Sequence, residues 1–198
     1  MTRGKLIVFE GVSGTGKETQ AKLLKTYLEQ HGKTATIVFH PTPDLKEVLS
    51  LWRKTRSIDA VTEFYLLLAD RHDRVSQVIE PALDRGEWVI SLRNYVSALV
   101  YQAKTSEEVT WMKEEFFRFE PNPDVLFHFD ITPEAALKRI MERHEKTGEA
   151  IGKFENPKAL EEKRARFLEI LHDIPHVAID ASLSIEAIHD KIINSIAI

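Results

Sequence analysis

The stretch that most constrains this chain is Lys5-Leu6-Ile7-Val8-Phe9-Glu10-Gly11-Val12-Ser13-Gly14-Thr15-Gly16-Lys17. Glu18, Thr19 and Gln20 then open an amphipathic run through Ala21, Leu23, Leu24, Tyr27 and Leu28. The apolar segment Leu6–Phe9 suits a strand buried on both faces, and the run after it has the spacing of a helix. Between them stands G-x-x-x-x-G-K, the arrangement in which main-chain N–H groups of a glycine-rich turn surround a phosphate. Gly11, Gly14 and Gly16 permit positive φ in such a turn. The helix directs its positive end at the same place, and Lys17 adds a mobile full charge. One position departs from the motif. Ser or Thr, whose hydroxyl ligates Mg²⁺, is expected after the lysine, and Glu18 stands there instead. Thr19 comes one residue late, about 100° further round the helix. The phosphate-binding residues expected from this stretch are Gly11, Val12, Ser13, Gly14, Thr15, Gly16, Lys17, Glu18 and Thr19.

The rest of the chain alternates in the same way. Strands are expected at Leu6–Phe9, Thr34–Phe39, Trp88–Ile90, Val125–Phe129 and Val177–Ile179. Helices are expected from Lys17 to near His31, over Leu45–Trp52 and Thr62–Ile79, and from Pro81. Others are expected over Tyr95–Lys104 and Glu107–Phe119, from Pro133 with Thr132 as its N-cap, and over Pro157–Leu171 and Ile185–Ile196. That alternation predicts an α/β fold, a doubly wound parallel five-stranded sheet flanked by helices. Ligands of such sheets lie outside the carboxyl ends of the strands. The rule puts the glycine turn, His40–Asp44, Ser91–Asn94 and Asp130 along one crevice. The polar, aperiodic segment His144–Asn156 reads as a lid, placed at about 143–156. The basic residues Arg53, Lys54 and Arg56 read as a solvated face.

Composition narrows the partners. A chain of 198 residues is expected to form a single domain, 1–198. A net charge of -4 argues against nucleic-acid polymers. The absence of cysteine excludes disulfides and thiolate–metal sites. No apolar stretch nears the ~20 residues needed to span a bilayer. The N-terminus runs directly into the first strand, so a cytoplasmic protein without membrane association is expected.

Taken in order and spacing, several pieces resemble the thymidylate kinases, P-loop nucleoside monophosphate kinases that phosphorylate dTMP with ATP. The pieces are F-E-G-V-S-G-T-G-K (Phe9–Lys17), L-L-L-A-D-R (Leu66–Arg71) and I-E-P-A-L-D-R-G-E-W-V-I-S (Ile79–Ser91), with Tyr101-Gln102. They continue as P-D-V-L-F-H-F-D-I-T-P-E-A-A-L-K-R (Pro123–Arg139), K-F-E (Lys153–Glu155) and I-D-A-S (Ile179–Ser182). The resemblance implies ATP as co-substrate, Mg²⁺ as cofactor, small nucleotide substrates and a homodimer. It implies catalytic roles for Lys17, Arg93 and the lid cation Lys153. Of the ATP-binding residues Arg139 and Arg143, one or the other would stack on adenine, and Asp180 to Ser182 would line its pocket. Arg71 would contact thymine, Arg93 would hold the acceptor phosphate with Ser97 nearby, and Tyr101 would crowd out a ribose 2′-hydroxyl.

Departures from the family pattern fall in the site itself. Ser13 replaces a loop aspartate, and Leu92 and Asn94 replace the aspartate and tyrosine flanking Arg93. His40-Pro41-Thr42-Pro43 stands where E-P-G-G-T is usual, so His40 enters the acceptor site. Leu67 falls where a phenylalanine stacks on thymine, with Phe64 one turn away to take over the stacking. Glu18 is either a replacement Mg²⁺ ligand, with Glu10 or Asp130 in support, or a charge that repels phosphates. Three readings stay open: an active dTMP kinase, a kinase for another monophosphate, and a catalytically impaired nucleotide- or partner-binding relative.

Overall fold

The computed structural model describes residues 2–196. Its five strands are β1 (Leu6–Glu10), β2 (Ala35–Phe39), β3 (Trp88–Leu92), β4 (Val125–Asp130) and β5 (Val177–Asp180). All neighbours pair in parallel, in the order β2-β3-β1-β4-β5. This is the expected α/β architecture. Every residue of the central strand β1 is buried, as is every residue of β3. That explains why both read as unbroken apolar runs rather than alternating ones. Phe9 packs edge-on to Phe127 at 5.6 Å and against Phe129 at 5.0 Å, joining β1 to β4 through aromatic contacts.

The helices are α1 (Lys17–Gln30), α2 (Pro43–Thr55), α3 (Ala60–Arg74), α4 (Glu80–Asp84), α5 (Tyr95–Gln102), α6 (Ser106–Phe117), α7 (Pro133–Thr147), α8 (Pro157–Leu171) and α9 (Ile185–Asn194). Their starts follow capping chemistry. Thr42, Asp59, Thr132, Asn156 and Ser184 each accept a hydrogen bond from the main-chain N–H three residues on. Thr105 and Glu108 form a reciprocal capping box. α1 packs on α9, while α5 packs against α3, α6 and α8. Among the described residues no helix is long and apolar enough to cross a membrane.

Three boundaries differ most from expectation. α2 begins at Pro43 and runs to Thr55, because Thr42 caps it and proline is tolerated in a first turn. α3 passes into α4 without a break, through one wide π-turn at Val75–Ile79 in which the Glu80 N–H bonds to Val75 O. Pro81 lies just beyond, and its missing N–H is accommodated by this loosened turn. The lid is shorter in loop than expected, since α7 continues to Thr147 and ends at Gly148, whose φ is 70°.

His128 is the one imidazole inside the central sheet region with a strongly altered affinity for protons. It is buried in β4 and stacked on Phe167 at 5.5 Å. Burial, against the opposing pull of Asp130, depresses its pKa from 6.5 to about 4. Between pH 6.5 and pH 4 the unfolded chain therefore takes up a proton that the folded chain refuses. Stability is lost as pH falls through that window, by about 3 kcal/mol from this group. Denaturant titrations at pH 7 and pH 4 check this: His128→Leu is expected to show a shallower acid slope than the unsubstituted chain, by one proton.

Candidate functional site

The glycine turn after β1 is shaped by close approach. A Cβ on Gly11 would fall 2.4 Å from Phe129 O, and one on Gly14 would fall 2.5 Å from Ala136 O. Both residues also have positive φ, 138° and 82°, so only glycine fits either place. Lys17 folds back over this turn. Its Nζ donates to Gly11 O at 3.0 Å, Val12 O at 2.7 Å and Thr15 Oγ1 at 2.7 Å. Burial, with Arg93 nearby, holds its pKa well below that of an ordinary lysine. Arg139 of α7 donates from Nη1 to Ala181 O at 2.8 Å and lies within 3.5 Å of Gly14 O.

Beside the turn, Glu10 ends β1 fully buried. Its Oε1 accepts from the N–H groups of Asn94 (2.9 Å) and Ser97 (3.1 Å), and its Oε2 from the Ser97 hydroxyl at 2.6 Å. A carboxylate thus caps the start of α5, where the helix dipole favours it. Arg93 precedes that helix with φ 75°, the one non-glycine residue at positive φ among those described. Its Nη1 donates to Ser97 Oγ at 2.8 Å and lies 4.0 Å from Glu10 Oε2. Its guanidinium sits 5.4 Å from the centre of the Tyr101 ring.

These groups open onto a cleft of about 570 Å³ at the carboxyl ends of the strands. Ser13, Gly14, Thr15, Gly16, Lys17, Glu18 and Thr19 line its floor, and Gly11 and Val12 lie behind them as buried main chain. Arg139, Arg143 and Lys153 line it on the side of α7 and the lid. His40, Leu67, Arg93, Ser97 and Tyr101 line the opposite end. His40 is buried, with Nδ1 3.3 Å from Asp70 Oδ2, and Asp70 also takes the N–H and hydroxyl of Thr42. Burial lowers the His40 pKa against the opposing pull of Asp70, which keeps the ring neutral. Nε2 of His40 has no partner among the described residues.

The lid is tied down by charge pairs. Glu155 Oε1 accepts from Arg143 Nη2 at 2.9 Å and Oε2 accepts from the Gly152 N–H at 2.7 Å. Glu149 lies 3.2 Å from Arg143 Nε and 3.7 Å from Lys46 of α2. Phe154 inserts toward α5, 5.0 Å from the Tyr101 ring.

Two expected site residues are not in the cleft. Arg71 is fully buried, with Nε and Nη2 donating to Glu120 at 2.8 and 2.6 Å and Nη1 donating to Ser91 Oγ at 3.0 Å. All its arms are occupied by the protein, which corrects its assignment to thymine. Phe64 is fully buried between Trp111 at 4.8 Å and Phe116 at 5.8 Å. It is core, which corrects its assignment as a replacement stacking face. Glu10 and Asp130 are likewise committed, Asp130 to Arg164 at 2.7 and 2.8 Å.

Sequence reasoning missed three residues at the acceptor end. Arg53 is exposed, as expected, but it also lines the cleft and grips Glu63 with Nε to Oε1 at 2.9 Å and Nη2 to Oε2 at 3.1 Å. Gln102 Nε2 donates to the same Oε2 at 3.3 Å, and its Oε1 has no partner among the described residues. Glu63 is buried. Desolvation raises its pKa, but Arg53 outweighs that and holds the carboxyl below its usual range. The signal available in sequence was weak: an arginine in the last turn of a helix looks the same whether it faces only water or also a cleft.

A family model described as Thymidylate kinase matches residues 9–192. The chain is 39% identical over 154 residues to the thymidylate kinase of Buchnera aphidicola subsp. Baizongia pistaciae, covering 73% of each protein. It is 33% identical over 202 residues to the probable thymidylate kinase of Methanosarcina barkeri, covering 98% of this chain and 96% of the relative. It is 33% identical over 196 residues to the thymidylate kinase of Desulfotalea psychrophila, with 96% and 93% covered.

Because Arg71 and Glu120 are both desolvated, removing one leaves the other as an unpaired buried charge. Arg71→Met is expected to lower stability by about 3–5 kcal/mol, measured by denaturant unfolding at neutral pH.

Proposed function

The chain belongs to the thymidylate kinase family, and from that premise we propose that this cleft transfers the γ-phosphoryl group of ATP to dTMP, yielding dTDP and ADP. The reading is carried by one observation: the glycine turn with Lys17 and the phosphate-sized fork of Arg93 open onto the same cleft. Phosphoryl transfer depends on positioning and charge neutralisation more than on covalent help from the protein. The turn's amides and Lys17 hold the β- and γ-phosphates, and Arg93, steadied by Ser97 and Glu10, holds the acceptor phosphate. Lys153 of the lid meets the moving group from the other side. The acceptor is already an anionic oxygen, so no general base is required. Arg139 and Arg143 lie on the adenine side, where closure of the lid excludes water. Leu67, Leu92, Tyr101 and Phe154 supply apolar walls for the acceptor, with His40 at their edge and Tyr101 against the sugar.

Mg²⁺ fits this site through few protein ligands, as is usual where substrate phosphates complete the shell. Among the described residues no group of three or more His, Asp or Glu side chains stands together. Glu18, exposed in the first turn of α1 and lining the cleft, is the hard-oxygen donor in place to hold the ion. The ion would neutralise phosphate charge. The chain acts as one kinase domain whose lid spans about 143–156, in the cytoplasm. It acts as a homodimer through α3 and α6: Val61, Tyr65 and Phe117 are exposed, and Tyr65 meets Trp111 of α6 at 5.8 Å to join the two helices' apolar surfaces.

A coupled assay of ADP release with dTMP tests the activity. Lys17→Ala is expected to reduce turnover at least about 100-fold; unchanged turnover would remove the glycine turn from the chemistry. For the metal, Mn²⁺ affinity of the ADP complex is read by paramagnetic resonance. Glu18→Gln is expected to weaken it at least about tenfold, whereas a repulsive Glu18 would instead give tighter ADP binding in the variant.

A further inference from the structure

The family resemblance assigns Arg71 to thymine, yet its hydrogen bonds run behind the cleft, to the segment that carries Arg93. Nε and Nη2 are taken by Glu120, and Nη1 donates to Ser91 Oγ at 3.0 Å. A guanidinium has no lone pair to offer, so the Ser91 oxygen must accept there and its single proton must go elsewhere. It goes to the main-chain carbonyl of Arg93, at 2.7 Å. Arg71 therefore fixes the direction of the hydroxyl, and the hydroxyl fixes the carbonyl. Arg71 and Ser91 are both fully buried, so water does not compete for the bond between them.

With φ at 75°, Arg93 holds a backbone state that persists in a residue with a Cβ only where its surroundings over-determine it. Its N–H donates to Phe9 O at 3.0 Å, its C=O accepts from Ser91, and the next N–H, that of Asn94, donates to Glu10. The peptide that follows Arg93 is thus held at both ends, by Glu10 at its N–H and by Ser91 at its C=O. Releasing the carbonyl end lets that peptide tilt about the remaining bond, and the Cα–Cβ direction of Arg93 turns with it. We propose that Arg71, acting through Ser91, is a positioning residue for Arg93: it sets the fork that grips the acceptor phosphate instead of reading the acceptor base. The inference rests on the kinase reading in taking the ligand of Arg93 to be the phosphate of a nucleoside monophosphate. Glu120 completes the relay, since it neutralises Arg71 and orients it so that Nη1 meets Ser91. A shift on the order of 1 Å at such a clamp is enough to be felt.

Thymidine and dTMP differ only in the phosphate, so calorimetric titration of the full chain with each separates phosphate from base. The unsubstituted chain is expected to bind dTMP at least about tenfold more tightly than thymidine. Ser91→Ala is expected to weaken dTMP binding at least about fivefold, while affinities for thymidine and ATP stay within about twofold. Arg71→Lys keeps a cation for Glu120 but presents one nitrogen in place of a fork, so it should show the same selective loss. If that variant does not fold, Ser91→Ala carries the test. Equal losses for dTMP and thymidine would mean a general disturbance or a contact with the base, and unchanged dTMP affinity would mean an idle hydroxyl; either result overturns the proposal. So would an unsubstituted chain that gains nothing from the phosphate. A phosphate-selective loss without ADP release on dTMP sinks the kinase reading and leaves the role of Arg71 standing; turnover of dTMP without the selective loss does the reverse.

Discussion

The cleft depends on a buried carboxylate at the end of the central strand. Glu10 makes no contact with solvent, yet it accepts three hydrogen bonds from the segment between β3 and α5. Burying a charge is costly unless it is hydrogen-bonded and compensated. Here the compensation comes from two main-chain amides, a hydroxyl, the start of a helix and the nearby Arg93. The strand that launches the glycine turn is thereby tied to the segment that launches Arg93. Two features far apart in sequence are held in one geometry by a side chain that does not itself line the cleft.

The same device recurs at the acceptor end, where Glu63 organises Arg53 and Gln102, and behind it, where Glu120 organises Arg71. In each case a desolvated carboxylate decides which arms of an arginine are left over. The difference lies in how many arms are used. Glu120 and Ser91 together occupy Arg71 entirely, whereas Glu63 takes only two nitrogens of Arg53.

The fold was legible in the sequence because its signals are local. Unbroken apolar runs marked β1 and β3, Thr132-Pro133 marked a helix start, and the glycine turn is contiguous. The merging of α3 into α4 was not legible, since a π-turn leaves the apolar spacing nearly unchanged while shifting its phase. The cleft was legible where residues sit on the turn or at strand ends. It was not legible where the outcome depends on a distant partner. Arg71 meets Glu120 across 49 positions, and no periodicity announces that pairing. Phe64 shares a helix face with Leu67, yet Trp111 and Phe116 claim it for the core. Arg53 stays exposed like its neighbours, while its Nε and Nη2 reach Glu63 at the edge of the cleft.

The left-handed backbone at Arg93 sets folding and chemistry against each other at one position. A residue with a Cβ is about 1–2 kcal/mol less comfortable there than glycine, so the turn itself would prefer to have no side chain. Retaining arginine therefore makes sense only for what the guanidinium does. A lineage released from the need for the reaction would drift toward glycine at 93, gaining a sturdier protein in losing an enzyme.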